Sequence, residues 1–126
     1  MFTITKAFAF SASHQLDGLP AEHQCARLHG HNYEVELELC AAELPPGPGF
    51  VHDYGALAPF RQLLDAELDH RHLNDLALGI GNPTAERLAR WLYSQAAIVL
   101  APLPEGVRVS AVRVRETPKT CAEYRP

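Results

Sequence analysis

The chain has 126 residues, 47% of them hydrophobic, and a formal net charge of -4 at pH 7, enough to bury the core of one domain, residues 1–126, without disulfide or metal staples. The acidic balance and the lack of any basic run argue against nucleic acid as a partner, since phosphate backbones are held by clustered Lys and Arg. No apolar stretch is long enough to span a bilayer.

The start, Met1 to Lys6, lacks the basic and apolar regions of a secretion signal, so the expected address is the cytoplasm. Three cysteines, an odd number, fit free thiols better than a disulfide framework. From Phe2 to Ala12 the even positions Phe2, Ile4, Phe8 and Phe10 are apolar, with Lys6 the exception, which predicts a first strand. His14 continues that phase and projects from the apolar face at the strand's end. Residues Gln15 to Leu28, with Asp17-Gly18 and Pro20, carry turn formers and no period and read as a long loop that holds Cys25. In the next strand His31, Tyr33, Val35, Leu37 and Leu39 share one face, opposite Glu34, Glu36 and Glu38. His29 is in phase with that core side.

Pro45-Pro46-Gly47-Pro48-Gly49 ends the second strand. A helix is predicted from about Tyr54 to Leu68, with Asp53 as N-cap and Leu57, Phe60, Leu64 and Leu68 as its apolar stripe. Arg71 to Thr84 reads as a loop that packs through Leu73, Leu76 and Leu78. A second helix follows from about Ala85 to Leu100, capped by Thr84, with Leu88, Trp91, Leu92 and Val99 inward. Beyond Pro102 and Pro104, Val107 and Val109 occupy odd positions but Val112 and Val114 even ones, so a bulge is expected at Ser110-Ala111. A short closing strand over about Cys121 to Arg125 completes an α+β plan. It places two helices on one face of a four-stranded antiparallel sheet in the order ββααββ.

If the first two strands pair antiparallel, the end of one lies beside the start of the other, which brings His14 to His29 and His31. Three neutral imidazoles suit a divalent ion such as Zn²⁺ and leave one position open, the arrangement of a catalytic rather than a structural site. The plain alternative is a pair of strand histidines bonded to backbone. Cys25, near Arg27 and any such cation, becomes a general base if the thiolate is favoured, and otherwise a small buried hydrophobe. Cys40 and Cys121 are expected to pack. Asp69-His70 at a helix end reads either as a proton-relay pair or as a helix terminator. His23, His52 and His72 read as loop or surface residues. Glu116 falls on the apolar phase of its strand, where a carboxylate is costly unless paired. Its partner is either an internal arginine or a ligand with a planar guanidine-like edge, such as a pterin or guanine, unless Glu116 simply marks the wet end of the strand.

In chain order, Ser11-Ala12-Ser13-His14, Cys25-x-x-x-His29-Gly30-His31, Leu68-Asp69-His70 with Leu73-Asn74, Asn82-Pro83-Thr84-x-Glu86 and Glu116-Thr117 resemble the 6-pyruvoyl-tetrahydropterin synthase superfamily over nearly the whole chain. The resemblance implies a T-fold whose subunits join into a barrel, commonly a homohexamer of two trimers with active sites between subunits. It also implies a small-molecule pterin substrate. By the same resemblance His14, His29 and His31 are the ligands of a Zn²⁺ cofactor and Cys25 the proton-abstracting thiolate. Asp69 and His70 are its relay partners from an adjacent subunit, Glu116 is the pterin anchor, and Thr84 helps hold the ring. The short gap between Cys25 and His29 is similar to that of bacterial 6-carboxy-tetrahydropterin synthases of queuosine biosynthesis. The implied reaction turns 7,8-dihydroneopterin triphosphate into 6-carboxy-5,6,7,8-tetrahydropterin, acetaldehyde and triphosphate. A 6-pyruvoyl synthase, an aldolase-like pterin lyase and a non-catalytic metal or pterin-binding T-fold protein are the alternatives. One position departs from the family: Gln15 stands where Arg is often found after the first zinc histidine, so the triphosphate must rely on Arg27 or another cation.

Overall fold

A computed structural model describes residues 1–126. Strand β1 (Phe2–His14) pairs antiparallel with β2 (His29–Ala41) along its whole length, from Phe2 opposite Ala41 to His14 opposite His29. The expected pairing therefore holds, and the site end of the sheet is the end at which the 15–28 loop joins the two strands. After β2, a single 3-10 turn over Tyr54–Leu57 leads into helix α1 (Ala58–Glu67). The Asp53 carboxylate caps that turn by accepting the Gly55 N–H at 2.8 Å. Pro59 lies in the first turn of α1, where its missing N–H costs nothing. Helix α2 (Ala85–Val99) starts at the Thr84 cap, whose hydroxyl accepts the Arg87 N–H at 3.3 Å.

Strand β4 (Val107–Arg115) pairs antiparallel with β2, and β5 (Ala122–Tyr124) pairs with β4. The register jumps from Leu39 opposite Val109 to Glu38 opposite Ala111, leaving Ser110 as the extra residue. The bulge predicted from the phase of the valines is thus present, and it turns both Val109 and Val112 into the core.

The sheet has five strands rather than four, because Arg71–His72 form β3, a two-residue edge strand parallel to β1 at Ala12 and Ser13. Sequence reads this segment as loop, and no periodicity marks it. Side-chain clamping creates it instead: the Asp69 carboxylate accepts the Ser11 N–H at 2.9 Å and the His70 N–H donates to the Ser11 carbonyl at 2.6 Å. His70 adopts a left-handed backbone, φ 59°, which costs a non-glycine residue about 1–2 kcal/mol and must be held by its surroundings.

Both helices pack against the face of the sheet carrying Phe8, Phe10, Tyr33, Val35, Leu37, Val112 and Val114. Phe60 of α1 meets Phe8 edge-on at 5.1 Å and, with Leu64 and Leu68, is fully buried. At about 2 kcal/mol for each such side chain, α1 is held by packing rather than by helical propensity. Cys40 is buried as expected. Cys121 is not: it sits exposed just before β5, where the Arg115 guanidinium donates to its Sγ at 3.2 Å. The short β5 begins one residue later and leaves it outside the core.

Candidate metal and pterin site

The pairing of β1 and β2 sets His14 directly opposite His29, and the period of two brings His31 to the same face. The three rings stand nearly perpendicular to one another, with centroids 4.5, 5.1 and 4.9 Å apart. One ligand nitrogen from each lies within 4.8 Å of the others, so the cluster could hold a metal ion.

The hydrogen bonds around the rings aim those nitrogens. His14 Nδ1 lies 2.8 Å from the Pro83 carbonyl and His29 Nδ1 lies 2.7 Å from the Arg27 carbonyl. A carbonyl only accepts, so both Nδ1 atoms carry the proton and both Nε2 atoms present lone pairs. Those two Nε2 atoms are 2.9 Å apart. Two acceptors facing each other repel unless a positive centre lies between them, and burial opposes an imidazolium: desolvation holds the His14 pKa below its usual 6.5. His31 Nε2 is buried with no hydrogen-bond partner. This donor set fits a divalent cation, with backbone carbonyls as the outer partners that fix the tautomers.

Sequence reasoning did not find those outer partners. Tyr33, fully buried, places its hydroxyl 3.3 Å from His14 Nδ1, and burial raises its pKa. Asn74 holds the backbone of Gln15 with two hydrogen bonds, of 2.8 and 2.7 Å, and Asn82 holds that of Asp17 with two more, of 3.0 and 2.9 Å. Each amide side chain imitates a strand neighbour, and together they pin the start of the 15–28 loop. Both fall within the motifs of the family resemblance, but no periodicity marks their role: each is otherwise only an asparagine in a loop.

Cys25 lies on a 3-10 turn (Gln24–Ala26) of this loop, half-buried. Its N–H donates to the His23 Nδ1 cap at 3.0 Å, and its carbonyl accepts the Leu16 N–H at 3.0 Å. Arg27 is exposed, and it is its carbonyl that serves the site. Asp69 and His70 form a pair, Oδ2 to Nδ1 3.0 Å, and the His70 side chain is 82% exposed. The Ser11 N–H bond, together with His70, lowers the Asp69 pKa. Neither residue is bonded to Cys25 of the same chain.

Glu116 Oε2 lies 3.6 Å from His31 Nε2, on the core side as its phase predicts. No arginine pairs with it; Arg113 binds Glu36, Glu38 and Glu123 on the opposite face. Glu116 and Thr84 line one cleft of about 280 Å³ with Leu16, Val114 and Ala122. His72, expected in a loop, is in β3 with Nδ1 2.9 Å from Ser13 Oγ. His23 caps the Cys25 turn.

Residues 3–126 match the family model described as 6-pyruvoyl tetrahydropterin synthase. The chain belongs to this family. Among curated relatives, the 6-carboxy-5,6,7,8-tetrahydropterin synthase of Synechocystis sp. is 34% identical, over 98% of this chain and 93% of its own. The enzyme of the same name from Bacillus subtilis is 31% identical over 99% and 86%. The solved structure of Caenorhabditis elegans 6-pyruvoyl tetrahydropterin synthase superposes with a TM-score of 0.83 at 27% identity, covering 99% of this chain and 95% of that one. The protein is therefore a T-fold member of a pterin-processing enzyme family. No helix is long and apolar enough to cross a membrane.

Proposed function

We propose that this chain is a zinc-dependent 6-carboxy-5,6,7,8-tetrahydropterin synthase of queuosine biosynthesis. It would convert 7,8-dihydroneopterin triphosphate and one water to 6-carboxytetrahydropterin, acetaldehyde and triphosphate, acting in the cytoplasm as a hexamer of two trimers. The observation that carries the reading is the convergence of His14, His29 and His31 beside Glu116, which faces His31 at 3.6 Å and is paired by no arginine or lysine. The names of its relatives and the three-residue gap between Cys25 and His29 support the carboxy product.

In this reading Glu116 accepts two N–H bonds from the guanidine-like edge of the pterin, with Thr84 at the side of the same cleft. Zinc, when bound by the three histidines, supplies Lewis acidity to the side-chain oxygens of the substrate and so acidifies the adjacent carbon-bound protons. Cys25, as thiolate, takes such a proton. His70 exchanges protons through Nε2 while Asp69 holds Nδ1 and stabilises the imidazolium. The exposure of His70 and its lack of a bond to Cys25 suit a relay offered to a neighbouring subunit's site. Arg27 contributes positive charge beside Cys25.

Incubating the zinc-loaded protein with dihydroneopterin triphosphate and weighing the products tests the reading. It expects 6-carboxytetrahydropterin with acetaldehyde. A pyruvoyl pterin as main product instead assigns 6-pyruvoyl synthase activity, the activity named for the Caenorhabditis elegans structure, and absence of any product assigns a binding role.

A further inference from the structure

Helix α2 has a second face that takes no part in the pterin site. Its core side is Leu88, Ala89, Leu92 and Ala96, all fully buried. Trp91, expected inward from the sequence, is only half-buried, because the contact with the sheet follows positions 88, 92 and 96 and leaves 91 at its margin. Arg87, Arg90, Trp91 and Ser94, spaced by three and four, share the neighbouring face. With the loop that precedes the helix they line a hollow of about 690 Å³, a size that small-molecule sites commonly have. It has no residue in common with the histidine triad or with the Glu116 cleft.

We propose that this hollow binds a nucleoside phosphate, its base stacked on the Trp91 indole and its phosphate held between Arg87 and Arg90. No carboxylate lines the hollow, in a chain of net charge -4. Arg61, Arg113 and Arg125 each meet a carboxylate within 2.9 Å; Arg87 and Arg90 meet none. Arg87 Nη1 donates to the Ile80 carbonyl at 3.1 Å, and the Arg90 guanidinium lies over the Tyr124 ring at 5.9 Å. Each contact orients its guanidinium and leaves most of the N–H fork for an oxyanion. Gly81 makes the placement of Arg87 possible. Its φ is 68°, and a Cβ there would stand 2.7 Å from Arg87 Nη1, so the guanidinium lies against bare loop backbone.

The ligand needs both parts. A bare anion would leave the half-exposed indole uncovered, and a neutral ring would leave two guanidiniums without a counter-charge. The hollow also lacks a carboxylate to take the paired N–H donors of a pterin, so the ring it fits is one held by its face rather than by that edge.

Trp91 is the one tryptophan of the chain, so its emission reports this hollow. Adenosine monophosphate is the probe, because adenine lacks the two adjacent N–H donors that Glu116 would take. It is titrated into the metal-loaded protein, with excitation on the red edge of the indole band where adenine does not absorb. Trp91 should be quenched saturably, with a Kd at or below about 1 mM. Adenosine and inorganic phosphate should each bind at least about tenfold more weakly. Arg87→Gln and Arg90→Gln should each weaken the monophosphate about tenfold, with metal content and circular dichroism unchanged. Trp91→Leu, followed by calorimetry, should lose about tenfold as well. Glu116→Gln should bind it as wild type does. No saturable quench, wild-type affinity in both arginine variants, adenosine binding as tightly as its monophosphate, or loss of binding in Glu116→Gln each overturns the assignment.

Discussion

Removing the imidazole of His31 deletes the one triad nitrogen that is buried without a partner, so His31→Ala should lose bound metal without losing structure. Metal content after gel filtration should fall close to zero while the circular dichroism spectrum is unchanged. His14→Ala differs, because His14 is fully buried and bonded to the Pro83 carbonyl. It should lose metal and also about 1–3 kcal/mol of stability by urea unfolding, the cost of an unsatisfied buried carbonyl. Cys25→Ala separates chemistry from binding: metal and fold should remain while turnover drops about 10²–10⁴-fold. Turnover within a few-fold of wild type would remove Cys25 from the mechanism. At this scale the triad was legible because strand phase and antiparallel pairing are both periodic. The Pro83 carbonyl and the Asn74 and Asn82 clamps were not, because each acts through a contact between segments far apart in sequence that no local pattern encodes.

Among the elements, the junction of β2, β4 and β5 holds the densest charge in the molecule. Glu38, 7% exposed in its side chain, accepts from Arg113, from Arg125 through both oxygens, and from Ser110 at 2.7 Å. The Arg125 and Arg113 guanidiniums and the Ser110 hydroxyl outweigh burial and hold its pKa at about 2, below the usual 4.5. A carboxylate depressed in the folded state contributes stability that is complete above pH 4.5 and is lost as pH falls toward 2. Glu38→Gln should therefore cost about 2–3 kcal/mol at pH 7. The gap between the wild-type and variant unfolding midpoints should narrow between pH 5 and pH 3; a constant gap would show that Glu38 titrates normally. Ser110, the bulged residue, supplies one of these bonds, so the phase slip that sequence exposed at Ser110-Ala111 has an electrostatic role that sequence did not expose. Strand β3 marks the opposite limit. Two residues ordered by the Asp69 carboxylate and a left-handed His70 leave no periodic trace, and Cys121 escapes the core because β5 starts one residue late.

For the molecule as a whole, the sheet ends in two open margins. Strand β1 is paired on its outer side only at Ala12 and Ser13, and β4 only from Val112 to Val114, which leaves Phe2 to Ser11 and Val107 to Ala111 with β2 on one side and no strand of the chain on the other. Such edges invite pairing with another copy, and a closed ring satisfies them on every subunit. Light scattering should accordingly give six times the chain mass. The sharper prediction joins assembly to chemistry. Cys25 and the Asp69–His70 pair make no bond to each other within one chain, so each should complete a site on a neighbour. Cys25→Ala and His70→Ala, each nearly inactive alone, should regain activity when unfolded together and reassembled at equal amounts. Each of the two positions is then filled by a competent chain half the time, so roughly one quarter of sites should be restored. Assembly from six copies with no recovery would mean that each subunit completes its own site, and that His70 reaches Cys25 only by a movement of the 15–28 loop.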